Sequence, residues 1–285
     1  MPGLSVVIIA KNEAAHIEAA LESVAWADET IVVDAESTDD TVARARRFTS
    51  RVVVRPWEGY GAQKNHGASI ATHDWILSID ADERVSPALA LEIRRVLTEG
   101  ADSRGYRMPR VAWFLGRWFR TTDWYPDYQL RLYDRRAGRW SGREVHESVQ
   151  LEGPVGYLKA ELQHYPFRDL SHYLEKIDRY STLAARQLDR EGHVPRGIDV
   201  LVYPPAAFIR NYLLRGGIRD GVPGFVVSVL GAYYVFLKFA KLWESRHVLA
   251  ARRHGAELAG RTEPGTAHGD GAPGSGAPGG TGRAS

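Results

Sequence analysis

The sequence contains no cysteine and only two methionines. Without cysteine, neither a disulfide framework nor a thiolate metal site can form. The N-terminus lacks the basic region and the small-residue cleavage site of a signal peptide, so its apolar run is predicted to be a first strand. The chain also has little excess of charge of one sign, since the formal net charge is only +2.

The first hundred residues alternate short apolar runs with helical patterns, which is typical of an α/β sheet. Strands are predicted at 4–10, 30–35, 51–56 and 75–80. Helices are predicted at 14–24, after Ser37 or Thr38, at 61–71 and at 86–97, the last with Ser86 as cap and Pro87 as first residue. The total of 285 residues fits one large domain or a domain with an appendage.

The pattern changes after about residue 105. Short segments rich in Trp, Tyr, Arg and Gly predict mixed strands and loops to about residue 162, where such a scaffold carries its second substrate. An amphipathic helix is predicted over 171–190, and the more apolar stretch 204–250 is also expected to be helical. The tail, 256–285, consists largely of Gly, Pro, Ala, Thr and Ser, and its composition predicts disorder.

Polar side chains follow three of the predicted strands at their carboxyl ends. Because ligands of open α/β sheets bind beyond that edge, the side chains are expected to lie together there. The residues concerned are Asn12 and Glu13 after the first strand, Asp34 and Glu36 after the second, and Asp80 and Asp82 after the fourth.

Asp80 and Asp82 suit a hard divalent cation, which takes oxygen ligands and keeps positions open for phosphate. A metal on the two phosphates of a nucleotide sugar would neutralise the departing diphosphate. The alternative is a solvated turn, which the position after an apolar strand disfavours. Lys64 is expected either to reach a phosphate or to be a surface lysine, and Asp34 either to bind a nucleobase imide or simply to precede a helix. Glu83 is expected to be solvated or to lie near a helix cap.

Several stretches resemble those of nucleotide-sugar glycosyltransferases of family 2 with the GT-A fold. They are KNE, VVDAESTDDT, PWEGYGAQKNHG, LSIDADERVSP, GYRMPR, WYPDYQLRLYDR, GREVHESV and HYPFRDLSHYLEKIDRYSTLAA. Within that family they look like the subgroup that includes lipopolysaccharide inner-core β-glucosyltransferases, over roughly residues 4 to 244. One departure is Glu36, where the family more often has glycine.

The resemblance implies a GT-A fold, in which a Rossmann-like mixed sheet is flanked by helices. It also implies an inverting, Mg²⁺- or Mn²⁺-assisted transfer from a nucleoside diphosphate sugar, expected to be a UDP-sugar. Asp127 is the predicted general base, with Glu144 and Glu147 as alternatives. His146 is a candidate third metal ligand or acceptor-phosphate ligand. The predicted donor-binding residues are Ala10, Asn12, Glu13, Asp34, Glu36, Lys64 and Asp80, and the predicted acceptor-binding residues are Trp124, Arg131 and His146.

A C-terminal helical extension is predicted to associate with a membrane. The uncharged run 221–237 is shorter than the ~20 residues that a spanning helix needs. Basic residues flank the run and outnumber acidic ones between 204 and 254, and Tyr233, Tyr234 and Trp243 suit a membrane interface. These features favour an interfacial or re-entrant helix on an anionic surface. The alternative is a buried helix of a soluble domain.

These expectations divide the chain into a catalytic domain at 1–165, a helical extension at 166–255 and the tail at 256–285. The expected location is the cytoplasmic face of the inner membrane, as a peripheral or monotopic protein. The expected acceptor is a lipid-linked glycan, and no nucleic-acid partner is expected. The competing hypotheses are a catalytically silent nucleotide-sugar-binding protein of the same fold and a nucleotidyltransferase. A nucleotidyltransferase usually carries a Gly-rich loop after the first strand, where this chain has AKNE.

Overall fold

A mixed α/β sheet forms the centre of the computed structural model, which describes residues 2–141 and 148–249. The strands are β1 Leu4–Ala10, β2 Glu29–Asp34, β3 Val52–Val54, β4 Trp75–Asp80, β5 Glu83–Val85, β6 Gly105–Phe114, β7 Arg117–Phe119, β8 Asp127–Asp134, β9 Gly138–Trp140, β10 Val149–Leu151, β11 Val155–Tyr157 and β12 Leu162–His164.

The helices flank this sheet and continue beyond it towards the C-terminus. They are α1 Ile17–Ser23, α2 Thr41–Ala45, α3 Tyr60–Ile70, α4 Pro87–Glu99, α5 Leu170–Arg190, α6 Gly197–Leu201, α7 Tyr203–Ile209 and α8 Gly221–Glu244. Short 3₁₀ segments lie at Thr122–Trp124 and Gly217–Asp220, and π-helical segments at Arg210–Leu214 and Ser245–Leu249.

The strand order is β3-β2-β1-β4-β8-β6-β12-β5, with β7 and β11 also paired to β6 and with β9 and β10 paired to each other. β3, β2, β1 and β4 are mutually parallel, whereas β8 runs antiparallel between β4 and β6. Every residue of β1 is buried, as expected for a strand covered on both faces. The predicted mixed α/β sheet with flanking helices is therefore confirmed.

Two apolar clusters cover the faces of the sheet. One contains Ile17 and Leu21 of α1 together with Leu89 and Ile93 of α4. The other lies against α3 and the β9–β10 hairpin and includes Trp140. Because both clusters pack against β1 and β4, the carboxyl ends of these strands are held at one edge.

Two helices begin later than predicted, and the residues before them join the loops at the strand ends. The N–H groups of Glu13 and Ala14 donate to the side chains of Thr41 and Asp39, and α1 starts at Ile17 and not at residue 14. Ser37 folds back onto Asp34, donating its N–H and its hydroxyl to that carboxylate, and α2 starts at Thr41. The predicted cap of α4 is confirmed, since the Ser86 hydroxyl accepts the N–H of Leu89 at 3.2 Å.

The C-terminal helices join the sheet through a third, aromatic cluster. Phe114 of β6 and Phe119 of β7 pack there against Tyr173 and Ile177 of α5 and against Val227 of α8. The predicted boundary at 165/166 falls in the loop between β12 and α5, but the division into domains stays a prediction. The tail at 256–285 lies outside the described residues.

Among the described residues, one helix, Gly217–Val248, is long and apolar enough by length and composition to cross a membrane. It extends the predicted run 221–237 past Lys238 and Lys241, so length alone does not separate a spanning helix from an interfacial one. The apolar side chains that α8 leaves exposed are Val222, Phe225, Val229, Tyr233, Phe236 and Trp243.

Candidate functional site

The polar residues predicted at the carboxyl ends of the strands do lie side by side. Ala10 pairs with Asp34 across β1 and β2, and Ile9 pairs with Asp80 across β1 and β4. The loops after β1 and β2 are joined, because Asn12 Oδ1 accepts the N–H of Thr38 at 2.8 Å. This edge is therefore a preorganised surface made of three strand ends.

The loop after β2 has a backbone conformation at position 36 that would suit a glycine. Asp34 is fully buried, and its two oxygens accept the N–H of Ser37 at 2.8 Å and the hydroxyl of Ser37 at 2.5 Å. Glu36, which is exposed, has a φ of 55°, in the left-handed region that glycine adopts most readily. The backbone therefore keeps the turn that glycine would favour, with a carboxylate projecting from it.

A line of alternating charges runs from this edge into the sheet. We call it the charge row, and its members in order are Lys64, Asp80, Arg131, Glu83, Arg110 and Asp127. The first contact joins Lys64 Nζ to Asp80 Oδ1 at 3.0 Å. Arg131 Nη2 then donates to Asp80 Oδ2 at 2.6 Å and to Glu83 Oε1 at 2.7 Å. Arg110 Nη1 donates to the same Glu83 oxygen at 2.9 Å.

Three members of the charge row are buried. Lys64, at one end, is 1% exposed, and Arg131 and Glu83, in the middle, are 3% and 0% exposed. Burial opposes ionisation of Asp80, but Arg131 and Lys64 hold the pKa of that carboxyl below its usual value. Burial lowers the pKa of Lys64, and the neighbouring Asp80 opposes this effect. The ionised form of Asp80 is therefore favoured by Arg131 and Lys64, and the ionised form of Lys64 is favoured by Asp80.

The expectation for Glu83 is wrong, and one alternative for Lys64 is excluded. Glu83 is neither solvated nor a cap-side acid, because the amphipathic alternation of β5 turns it inwards beside Val85. Lys64 is not a surface lysine, since it lies on the sheet-facing side of α3 with its Nζ 4.2 Å from the centre of the Trp140 ring. Contact of Lys64 with a phosphate stays a prediction.

Asp82 has a different environment from Asp80. His164, at the end of β12, places Nε2 3.4 Å from Asp82 Oδ2. Burial opposes ionisation of Asp82, but the hydrogen bond and charge of His164 hold the pKa of this carboxyl below its usual value. Burial and the nearby Asp82 carboxylate raise the pKa of Glu13 to about 7. Asp82 thus lies in an acidic part of the edge.

Sequence reasoning missed His164. It lies in the stretch HYPFRDL, which carries part of the family resemblance, but no spacing connects it with Asp82. The connection arises only because β12 pairs with β5, where His164 lies opposite Glu83.

Asp127 is the first residue of β8 and is partly exposed, at the far end of the charge row. Its Oδ2 accepts hydrogen bonds from Nε and Nη2 of Arg110 at 2.9 and 2.7 Å. Its Oδ1 accepts a hydrogen bond from Nε2 of Gln129 at 2.6 Å. The alternative bases Glu144 and Glu147 lie outside the described residues, as does His146.

The two remaining residues predicted to bind acceptor are packed inside the protein. Trp124 contacts the rings of Phe114, Phe119, Phe167 and Tyr173. This arrangement matches the core-packing alternative for an aromatic residue. Arg131 is committed to Asp80 and Glu83, as described above. Contact with an acceptor stays a prediction for both residues.

The side chains at this edge fit a divalent cation in part. Within residues 2–141 and 148–249, no group of three His, Asp or Glu side chains is arranged to hold a metal ion. Asp80 already has two protein cations, whereas the described partner of Asp82 is an imidazole. An oxygen and an imidazole nitrogen are a donor set that suits Mn²⁺, with the remaining positions left for water and phosphate.

Comparisons with known proteins identify the family that the chain resembles. The family model described as "Glycosyl transferase family 2" matches residues 5–150. The lipopolysaccharide core biosynthesis glycosyltransferase LpsC of Rhizobium meliloti (strain 1021) is 33% identical over 256 residues, which are 87% of this chain and 94% of that protein. An uncharacterized glycosyltransferase of Rickettsia felis is 32% identical over 257 residues, 86% of this chain and 91% of that protein.

A solved structure covers a similar share of the chain. It is S. aureus TarS 1-349 in complex with UDP-GlcNAc, which is 14% identical, has a TM-score of 0.44 and is matched over 89% of this chain and 92% of that chain.

Proposed function

Because the chain belongs to glycosyl transferase family 2, we propose that it transfers a sugar from a nucleoside diphosphate sugar, expected to be a UDP-sugar, to a hydroxyl of a membrane-linked glycan. The name of the Rhizobium meliloti relative supports lipopolysaccharide core or a related cell-envelope glycan as the acceptor. The observation that carries the proposal is the charge row, which joins the carboxylate proposed for the donor side, Asp80, to the carboxylate proposed for the acceptor side, Asp127, through Arg131, Glu83 and Arg110.

The donor is proposed to lie along the edge formed by β1, β2 and β4. Asp34 and Asn12 stabilise the loops that receive the nucleoside, and Ala10, Glu13 and Glu36 line the same edge. Lys64 and Asp80 lie where the diphosphate would pass. Asp34, Asn12, Lys64 and Asp80 are held by other side chains or backbone before binding, so little ordering entropy is lost at these four residues when the nucleotide binds.

A divalent cation is proposed to bind at Asp82, with Asp80 and His164 as further candidate ligands. When bound, it would neutralise charge on the diphosphate leaving group. His146 remains a proposed ligand on the resemblance alone. Arg131 and Lys64 hold Asp80 in place, so its carboxylate does not have to reorganise when the donor arrives.

Transfer is proposed to be a single displacement with inversion. The acceptor O–H bond breaks and its proton moves to the Asp127 carboxylate. The acceptor oxygen forms a bond to the anomeric carbon, whose bond to the diphosphate oxygen breaks with its electron pair. Asp127 suits this task because it is partly exposed and its Oδ1 has only a neutral hydrogen-bond partner.

The proposed function is tested by incubating the full chain with a panel of nucleotide sugars, with and without a lipopolysaccharide-core acceptor fraction. We expect one UDP-sugar to be transferred, with Mn²⁺ or Mg²⁺ required and chelator abolishing the product. Heat-treated protein is the control. Binding of UDP-sugar without transfer to any acceptor would contradict the enzyme and support the silent binding protein.

We propose that the C-terminal helices hold the enzyme on an anionic membrane surface, consistent with a peripheral or monotopic location on the cytoplasmic face of the inner membrane. The exposed apolar side chains of α8 recur at three- and four-residue spacing, as on one face of a helix. Leu201, Leu213, Leu214 and Ile218 extend the exposed apolar surface before α8, and Arg219 is exposed beside it. The corresponding division is a catalytic domain at 1–165 followed by a helical extension at 166–255.

Replacing Leu201, Leu214 and Val222 together by Asp should release the protein from acidic liposomes. The three side chains are 74%, 78% and 75% exposed, so the fold should tolerate the change. Loss of ~1.5 kcal/mol of apolar burial at each position predicts ~10³-fold weaker partitioning. The measurement is co-sedimentation across a salt series.

The matched control is Leu91→Asp, which alters an equally exposed leucine, 67% exposed, on α4. It should sediment like the unchanged protein. Truncation before α8 is a poorer test, because α8 contributes Val227 to the third cluster. If the unchanged chain stays in the supernatant at low salt, the membrane proposal is wrong.

A further inference from the structure

The carboxylate of the proposed base, Asp127, is held by Arg110, which takes no part in the proposed proton transfer. Arg110 presents two donors to one oxygen of Asp127 and a third to Glu83. Arg110 and Asp127 are direct cross-strand partners on β6 and β8, so their backbones are fixed relative to each other. Gln129 donates to the other Asp127 oxygen.

We propose that Arg110 is a positioning residue that orients the Asp127 carboxylate for proton transfer from the acceptor, and that Glu83 fixes Arg110 for this task. The proposal rests on the proposed function, because it deepens the role of Asp127 as base. It adds a residue that touches neither donor nor acceptor but determines which carboxylate oxygen is available.

The geometry separates the two oxygens of Asp127. Oδ2 is occupied by a bidentate guanidinium, which is the strong, directional form of a charge-assisted hydrogen bond. Oδ1 carries one amide N–H and keeps a lone pair. The acceptor proton is therefore directed to Oδ1, and rotation of the carboxylate would break two bonds to Arg110.

Glu83 fixes the guanidinium from the other side. Its Oε1 accepts both Arg110 and Arg131, and its Oε2 accepts the backbone N–H of Asp80 at 3.0 Å. The Glu83 side chain thereby connects the base on the acceptor side with the strand end on the donor side. A shift of Arg110 would leave a fully buried carboxylate with one fewer cation.

The test compares Arg110→Gln with Arg110→Lys by kcat and by KM for the acceptor. Arg110→Gln should lower kcat ~10- to 10²-fold with little change in KM, because the Asp127 carboxylate is still present but no longer held in one orientation. Arg110→Lys keeps a positive charge beside Asp127 but cannot present two donors to Oδ2, so kcat should recover only in part. The Kd for UDP should change less than ~2-fold in both. Arg104→Gln, which removes an Arg–Asp pair at the opposite end of β8, is the control and should leave kcat unchanged.

An Arg110→Gln enzyme with unchanged kcat would overturn the positioning role, and so would a loss of UDP affinity in step with kcat. Asp127→Asn, measured in parallel, separates this failure from others. If Asp127→Asn is inactive but Arg110→Gln keeps full kcat, only the positioning role fails. If Asp127→Asn keeps full activity, the base itself is misassigned, and both proposals fall.

Discussion

Asp82→Asn is expected to lower the rate of sugar transfer by ~10³-fold while the protein stays folded. Asp82 is outside the charge row, and the side-chain partner described for it is His164. The substitution removes a ligand charge and leaves the side-chain shape nearly unchanged. A metal on the leaving group contributes several kcal/mol to catalysis, and ~4 kcal/mol corresponds to the stated loss. The measurement is the initial rate over a Mn²⁺ series, with Mn²⁺ affinity in the presence of UDP determined separately.

Asp40→Asn is the matched control, because Asp40 is an exposed acid that makes no side-chain cap bond to α2. It should leave both the rate and the Mn²⁺ affinity unchanged. Full activity of Asp82→Asn in the presence of chelator would show that no metal acts through this residue. A lower rate with unchanged Mn²⁺ affinity would assign Asp82 to donor binding instead.

The central strands and the edge at which they end could be predicted, because short continuous stretches of sequence determine them. β1 and β4 are uninterrupted apolar runs followed by polar residues, and both strands have the predicted bounds. Once the strands are parallel neighbours, their carboxyl ends must meet, so Asp34 and Asp80 had to share an edge. The Ser86–Pro87 signal for α4 is equally local and was confirmed.

The partners of the acids were not predictable, because they come from residues distant in sequence. Arg131 reaches Asp80 from β8, and His164 reaches Asp82 from β12. A single sequence indicates that an arginine exists but not which carboxylate it meets. For this reason the metal was expected to neutralise Asp80 as well as Asp82, and Glu83 was expected in solvent or near a helix cap, whereas the charge row already pairs Asp80 and Glu83 with cations of the chain.

Backbone conformation was a second source of error. The positive φ of Asn12 and Glu36 is invisible in a hydrophobic pattern, yet it allows the loops after β1 and β2 to bind each other. The N–H groups of Glu13 and Ala14 donate in the same region to the side chains of Thr41 and Asp39. The positive φ of Glu36 also fits the glycine that the resemblance leads one to expect at this position.

Glu83→Ala is expected to lower the free energy of unfolding by ~3–5 kcal/mol, the usual scale for removing one partner of a buried ion pair. Arg131 would still pair with Asp80, and Arg110 would still pair with Asp127. The charge row would then contain one positive charge without a compensating carboxylate. The Asp80 N–H would also lose its acceptor. The measurement is urea unfolding of the full chain, followed by circular dichroism and tryptophan fluorescence.

Glu99→Ala provides the comparison, since it removes a glutamate whose side chain is 69% exposed and lies 3.9 Å from Arg95. Screening by water makes such a surface pair contribute little, so the urea midpoint should not move. The second informative variant is Glu83→Gln, which keeps the shape and one acceptor but not the charge. If it is destabilised almost as much as Glu83→Ala, charge is what Glu83 supplies to the two arginines. If neither variant is less stable than the unchanged chain, water and not Glu83 solvates Arg110 and Arg131, and the charge row is not a rigid link between the donor and acceptor sides.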